Sequence, residues 1–153
     1  MSVCILDQNE YEPMARHFFG SPHQFLDEDV AYARDQGLSE ADMLGIFKTA
    51  KRLAVVYDHE TPIYMFGCAA DDTLITLSAA ALKGRQITLA KHVARFIRTP
   101  EGRDFFVGVV GRTHASDIES YGFLHRWAKS LGFKQYAEEV ETDGDTTLYY
   151  SRS

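Results

Sequence analysis

The sequence predicts an α/β fold of the α+β kind, one domain of strands and helices over residues 1–153, and three stretches carry that prediction. Residues 72–133 read strand, basic loop, helix, strand, helix. Residues 53–69 hold two apolar runs of strand length around a polar turn, and residues 133–150 end the chain with a second hairpin pattern. With 153 residues, 45% of them hydrophobic and 12% aromatic, the chain can fill a core of that size.

Taken in order, Val3–Leu6 is an apolar opening strand. Short helices are expected over Glu12–Phe19 and Asp27–Gln36, split by Gly20-Ser21-Pro22, with Gly37 ending the second. Ser39-Glu40-Ala41-Asp42 has the form of a capping box, and Met43, Leu44, Phe47 and Ala50 make the inner stripe of the helix it starts. Leu53–Asp58 and Ile63–Ala69 form a hairpin. Thr73–Leu77 alternates β-branched and apolar residues as a strand does, and Ala81–Gln86 follows as a short cationic turn. From Ile87 to Arg98, the spacing of Ile87, Ala90, Val93, Ala94 and Ile97 predicts one buried helical face, stopped by Thr99-Pro100. Phe105–Val110 is an unbroken apolar run, read as a strand buried on both faces. Another helix follows, with Ser116 as N-cap, Glu119 as its capping-box partner, an inner face of Ile118, Tyr121, Leu124, Trp127, Ala128 and Leu131, and Gly132 as C-cap. Phe133–Ala137 and Thr146–Tyr150 pair around the turn Asp143-Gly144.

Charge and cysteine usage narrow the function classes. A formal charge of −6 and a pI near 5.4 argue against nucleic acid as a partner, because gripping a phosphate backbone calls for a basic face. Lys83, Arg85, Lys91, His92, Arg95 and Arg98 do crowd one loop and helix, as a local basic patch or as an ordinary solvated face. Cys4 and Cys68, the only cysteines, suit neither a disulfide framework nor a cysteine-based zinc site, and both read as core residues. The six histidines make no ligand pair, so no metal is expected. No signal peptide or membrane-length apolar run is seen, which points to a soluble, reducing compartment without secretion. His114, in Gly111–Ala115 after the central strand, is the catalytic candidate, since α/β sheets build clefts at the C-terminal ends of their strands; the alternative is an exposed loop histidine. Ser116, Asp117 and His114 are too close in sequence for a hydrolase triad.

The order of elements, ending in Leu131-Gly132-Phe133, resembles the GNAT (acetyl-CoA-dependent N-acetyltransferase) superfamily over most of the chain. That resemblance implies a mixed, mostly antiparallel sheet flanked by helices. It also implies a loop of the form Arg/Gln-x-x-Gly-x-Gly/Ala after the first long strand, whose amides at a helix N-terminus hold the pyrophosphate of acetyl-CoA. Lys83-Gly84-Arg85-Gln86-Ile87-Thr88 lies in that place, which makes Lys83, Gly84, Arg85 and Thr88 the expected cofactor-binding residues. The pattern is broken in three places, the loop, the last helix and the strand. Gln86 stands for a glycine and Thr88 for a small residue in the loop, Ala128 stands where the family has a tyrosine that protonates the coenzyme A thiolate, and Thr73–Leu77 has no glutamate.

A narrower likeness is to small internal virion or assembly proteins of short-tailed phages, which share acidic N-terminal helices, a hairpin, a loop such as Leu82-Lys83-Gly84-Arg85 and an apolar-Gly ending to the last helix. Together these imply a virion-associated protein acting through contacts with virion or host proteins, in the infected host's cytoplasm or the virion, with little or no acetyl transfer. The alternative is an acetyl-CoA-dependent N-acyltransferase in which the loop residues hold the phosphates and His114 or a water chain takes the amine proton. Much of such a reaction rests on juxtaposition and backbone amides, which need no particular side chain. A host-directed inhibitor acting through its acidic surface is a third reading, without a motif. Family hairpins in the position of residues 133–150 border the acceptor side and often join dimers, so a homo-oligomer is a further implied arrangement.

Overall fold

The computed structural model describes residues 1–20, 37–79, 82, 84–114, 129, 132–140 and 146–151. Strands β1 (Ser2–Ile5), β2 (Arg52–Asp58), β3 (Thr61–Cys68) and β4 (Leu74–Ser78) make an antiparallel sheet in the order β1-β2-β3-β4. Strands β5 (Val110–His114), β6 (Lys134–Val140) and β7 (Thr146–Ser151) make a second in the order β5-β7-β6. The described helices are α1 (Gln8–Gly20), α2 (Glu40–Lys48), α3 (Gln86–Ile97) and the short α4 (Pro100–Phe105).

The near-continuous apolar character of β2 and β3 has a direct cause, because helices cover both faces of the first sheet. On one face Leu53, Val55, Met65 and Leu77 pack with Tyr11, Ala15 and Phe18 of α1 and Phe47 of α2. On the other, Ala54, Val56, Tyr64, Phe66 and Cys68 pack with Leu89, Val93 and Ile97 of α3 and Phe105 of α4. Each of the larger of these side chains is fully buried or nearly so, and burial of that kind stabilises by about 1.5–3 kcal/mol apiece.

Local signals set several boundaries where expected. The Ser39 hydroxyl accepts from the Asp42 amide at 3.2 Å and the Asp42 carboxylate accepts from the Ser39 amide at 3.0 Å, so the capping box is real. That bond holds the Asp42 carboxyl below its usual range. The β2–β3 hairpin pairs Leu53 with Gly67 and Val55 with Met65, and β6 pairs antiparallel with β7 as the terminal hairpin pattern predicts. The helix expected over Asp27–Gln36 lies outside the described residues. So does the one over Ser116–Leu131, apart from Lys129, whose carbonyl accepts from the Gly132 amide at 3.0 Å; Gly132 has the left-handed φ of 86° expected of a C-cap.

Other expectations are corrected. The apolar run Phe105–Val110 is not a strand: Phe105 ends α4, Phe106–Gly108 turn, and β5 starts only at Val110. Thr99 caps α4 by accepting from the Gly102 amide at 3.0 Å, Pro100 fits its first turn, and Gly108 turns the chain with φ 76°. The run is apolar because Phe105, Phe106 and Val109 fill the core beneath α3. His114 is consequently the last residue of β5 and not part of the loop after it. Ile87 is 76% exposed, because the buried stripe of α3 is Leu89, Val93 and Ile97, four residues apart, and Ile87 falls on the far side. Helix α1 begins at Gln8, ahead of Glu12, its first turn closed by the Glu10 carboxylate accepting from the Asp7 amide at 2.8 Å. Cys4 is exposed on the edge strand β1, while Cys68 is buried. No helix among the described residues is long and apolar enough to cross a membrane.

Candidate functional site

Among the described residues one isolated bridge links the two sheets. Thr73, just before β4, forms an isolated parallel bridge with Val110, and the Val110 amide donates to the Asp72 carbonyl at 2.8 Å. Strands β4 and β5 therefore start side by side and run in the same direction, yet they belong to separate sheets. Beyond the bridge, the edge of β4 that faces β5 has no strand partner among the described residues. A parallel pair that opens in this way leaves a cleft at the C-terminal ends of its strands, with unpaired backbone donors and acceptors on its wall. Ser78 and His114 are the last residues of β4 and β5, so both strands end at the open side.

The chain leaving β4 at this end builds the loop before α3. Among its described residues the Leu82 amide donates to the Ala79 carbonyl at 3.0 Å and the Arg85 amide to the Leu82 carbonyl at 2.8 Å, with Leu82 fully buried. Gly84 sits at φ 81° with nothing within 4 Å of where a Cβ would be, so its backbone faces open space. Arg85 occupies the N-cap position of α3 without capping it by its side chain, and the first turn holds no acid. The Leu89 amide is the one that reaches the Arg85 carbonyl, at 3.1 Å. The amides of the first turn thus project from the positive end of the helix dipole, an arrangement suited to an anion.

Of the residues read from the sequence, Gly84, Arg85 and Thr88 come together here, with Thr88 exposed in the first turn. Lys83 lies outside the described residues. The backbone of His114 is at the open end of β5, in register with Thr147. Ala128 also lies outside the described residues.

The structure adds one residue that the sequence reading passed over. Asp58, at the end of β2, forms an ion pair through its Oδ2 with Nη1 of Arg85. The guanidinium holds the Asp58 carboxyl below its usual range, and the carboxylate raises Arg85 in turn. The meander explains the encounter: β2 and β4 run in the same direction on either side of β3, so the end of β2 lies level with the loop leaving β4. Register alone could have found it, since Asp58 is the one acid in the run Leu53–Asp58. On the same helix Lys91, Arg95 and Arg98 are exposed, and His92 is lowered by partial burial and then by the amino terminus and Arg95. That side of α3 is cationic in a chain of formal charge −6.

Among the described residues no group of three or more histidine, cysteine, aspartate or glutamate side chains comes together as a metal site. A hollow of about 510 Å³ lined by Gln8, Asn9, Glu12, Pro13, Arg16 and Lys48 lies on α1 and α2. Its Glu12 is held charged by Arg16, 2.8 Å away, and by Lys48 at 3.7 Å, so it is an exposed ion-pair network and not a poised acid or base.

No protein-family model and no curated protein matches the chain. Solved structures do. It is similar to aminoglycoside 6′-acetyltransferase type Ii at 10% identity, with 99% of this chain and 97% of that one covered and a TM-score of 0.58. It is similar to the aminoglycoside 6′-N-acetyltransferase from Enterococcus faecium at 9% identity, covering 98% and 95%, with a TM-score of 0.57. A spermidine N-acetyltransferase from Vibrio cholerae, in a mutant form, matches at 9% identity over 98% and 93%, with a TM-score of 0.51. The likeness spans nearly the whole of each chain, and the fold described above, antiparallel sheets flanked by helices, is that of the GNAT N-acetyltransferases.

Proposed function

We propose that this chain is an N-acyltransferase that takes its acyl group from acetyl-CoA. The observation that carries the reading is the open end of the β4–β5 seam, where among the described residues the edge of β4 has no strand partner, beside a helix N-terminus without a side-chain cap. The surroundings fit a phosphorylated thioester. Gly84 leaves room for a phosphate against the backbone, the first turn of α3 holds no opposing acid, and Arg85 and Thr88 are at the surface beside it. Acetyl-CoA, when bound, supplies an activated acyl group on sulfur. The amides of the α3 first turn with Gly84, Arg85, Thr88 and Lys83 hold its phosphates, and the free edge of β4 holds its extended arm by strand-like hydrogen bonds.

The chemical step asks little of side chains. A backbone amide on the β4 wall donates to the thioester carbonyl where charge develops, and the acceptor amine is brought against it by the cleft. His114, at the open end of β5, or a water chain beside it would take the amine proton in place of the glutamate that Thr73–Leu77 lacks; as the nitrogen bonds the acyl carbon the carbon–sulfur bond would break, and the coenzyme A thiolate would leave and take a proton from water in place of the tyrosine absent at Ala128. The net charge of −6 favours a cationic amine as acceptor, in line with the aminoglycoside and spermidine substrates in the names of the similar structures.

Calorimetric titration of the purified protein with acetyl-CoA tests this reading. Saturable binding that persists at physiological salt is expected, and it is expected to disappear in Arg85→Glu with the melting temperature unchanged. Unchanged affinity in that variant refutes the assignment. The reading as a virion-associated protein acting through protein contacts rests on the three departures from the family motif; none of the similar structures supports it, and an absence of acetyl-CoA binding would favour it.

A further inference from the structure

We infer that Asp58 sets the anion affinity of the α3 loop by holding the guanidinium of Arg85 in competition with an incoming phosphate. The inference rests on the reading of the loop as a phosphate site and adds a residue from a different strand to it. Asp58 comes from the end of β2, fully 27 positions before Arg85, and its Oδ2 takes a donor of the planar fork that binds phosphate oxygens best. With that pair formed, the loop carries one positive charge fewer toward an anion, so a phosphate must displace the carboxylate or make do with the remaining donors.

The alternative role for Asp58 is to shape the loop, and the structure argues against it. The described residues before α3 are tied by backbone bonds from the Leu82 amide to the Ala79 carbonyl and from the Arg85 amide to the Leu82 carbonyl, and Leu82 is buried. These do not involve Asp58. The side chains of the pair are 24% and 41% exposed for Asp58 and Arg85, so water reaches both partners and can solvate the carboxylate once it lets go. Removal of the acid therefore frees a cation without dismantling the site. The gain cannot exceed the strength of a solvent-exposed ion pair, which corresponds to a change in affinity of about two- to fivefold.

Four proteins, the parent, Asp58→Asn, Arg85→Gln and the double variant, titrated with coenzyme A and with inorganic pyrophosphate at low and at physiological salt, test this. The expected result is about two- to fivefold tighter binding of both ligands by Asp58→Asn, steeper in its salt dependence than the parent, and no gain in the double variant over Arg85→Gln alone. Asp58→Ser serves as a second variant if Asp58→Asn fails to fold. Equal or weaker binding by Asp58→Asn, with coenzyme A still bound by the parent, overturns the competition while leaving the acyltransferase reading intact. Pyrophosphate binding that tightens in Asp58→Asn, with no coenzyme A binding by any form, supports the competition and overturns the acyltransferase reading. Binding of neither ligand by any form overturns both.

Discussion

The two ends of the seam between β4 and β5 are built from opposite materials. At the closed end the contacts are short and numerous. Thr73 bridges Val110, the Val110 amide reaches Asp72 at 2.8 Å, Nη2 of Arg52 donates to the Val107 carbonyl at 2.7 Å, and Lys51 pairs with Asp72 at 2.6 Å. Behind them the rings of Phe66, Phe105 and Phe106 meet at centroid distances of 5.2–5.8 Å. At the open end there is a glycine facing empty space, a helix start without a side-chain cap and one exposed ion pair. The closed end joins the sheets, and at the open end the edge of β4 has no strand partner among the described residues. Stability and binding should therefore respond to different residues.

The largest effects are expected at the closed end. Phe66→Ala removes the ring that touches Phe96, Phe105 and Phe106, and a loss of about 3–5 kcal/mol in chemical denaturation is expected. Gly67→Ala should do comparable damage, because a Cβ there would stand 2.1 Å from the Arg52 carbonyl oxygen, a backbone atom that cannot step aside. Arg52→Met is intermediate, with about 1–2 kcal/mol lost as the Val107 carbonyl gives up its charged donor. A denaturant midpoint unmoved by these changes would break the distinction between the two ends.

The smaller effects sharpen it. Asp58→Asn and Arg85→Gln should leave the melting temperature nearly unchanged while altering anion binding in opposite directions, as exposed pairs contribute little to folding. The two thiols give a chemical version of the same contrast. Cys68, raised by burial, should resist alkylation in the native protein, while exposed Cys4 reacts, and both should react after denaturation; mass spectrometry of the labelled peptides reads this directly.

Much of the fold was legible in the sequence because the signals were local. The Ser39 capping box, the turn between β2 and β3 and the terminal hairpin each depend on a few adjacent residues. Phe105–Val110 misled because an apolar run reports burial and not conformation; Thr99 and Pro100 decide that its beginning is helical. Ile87 misled because a three-and-four spacing fits more than one face, and Leu89 chose the other. In the candidate site, Gly84, Arg85 and Thr88 were named from the family resemblance, through the loop's place after a strand and before a helix, and their role is a proposal. Asp58 was missed, since pairing across 27 positions depends on the meander bringing the ends of β2 and β4 level.

The open end of the seam is proposed to hold the phosphates of acetyl-CoA. Calorimetric titration of the parent protein and Arg85→Glu with acetyl-CoA at physiological salt tests it most directly. Saturable binding by the parent, lost in Arg85→Glu with the melting temperature retained, is the predicted result. Absence of binding by the parent, or equal binding by both, would contradict it.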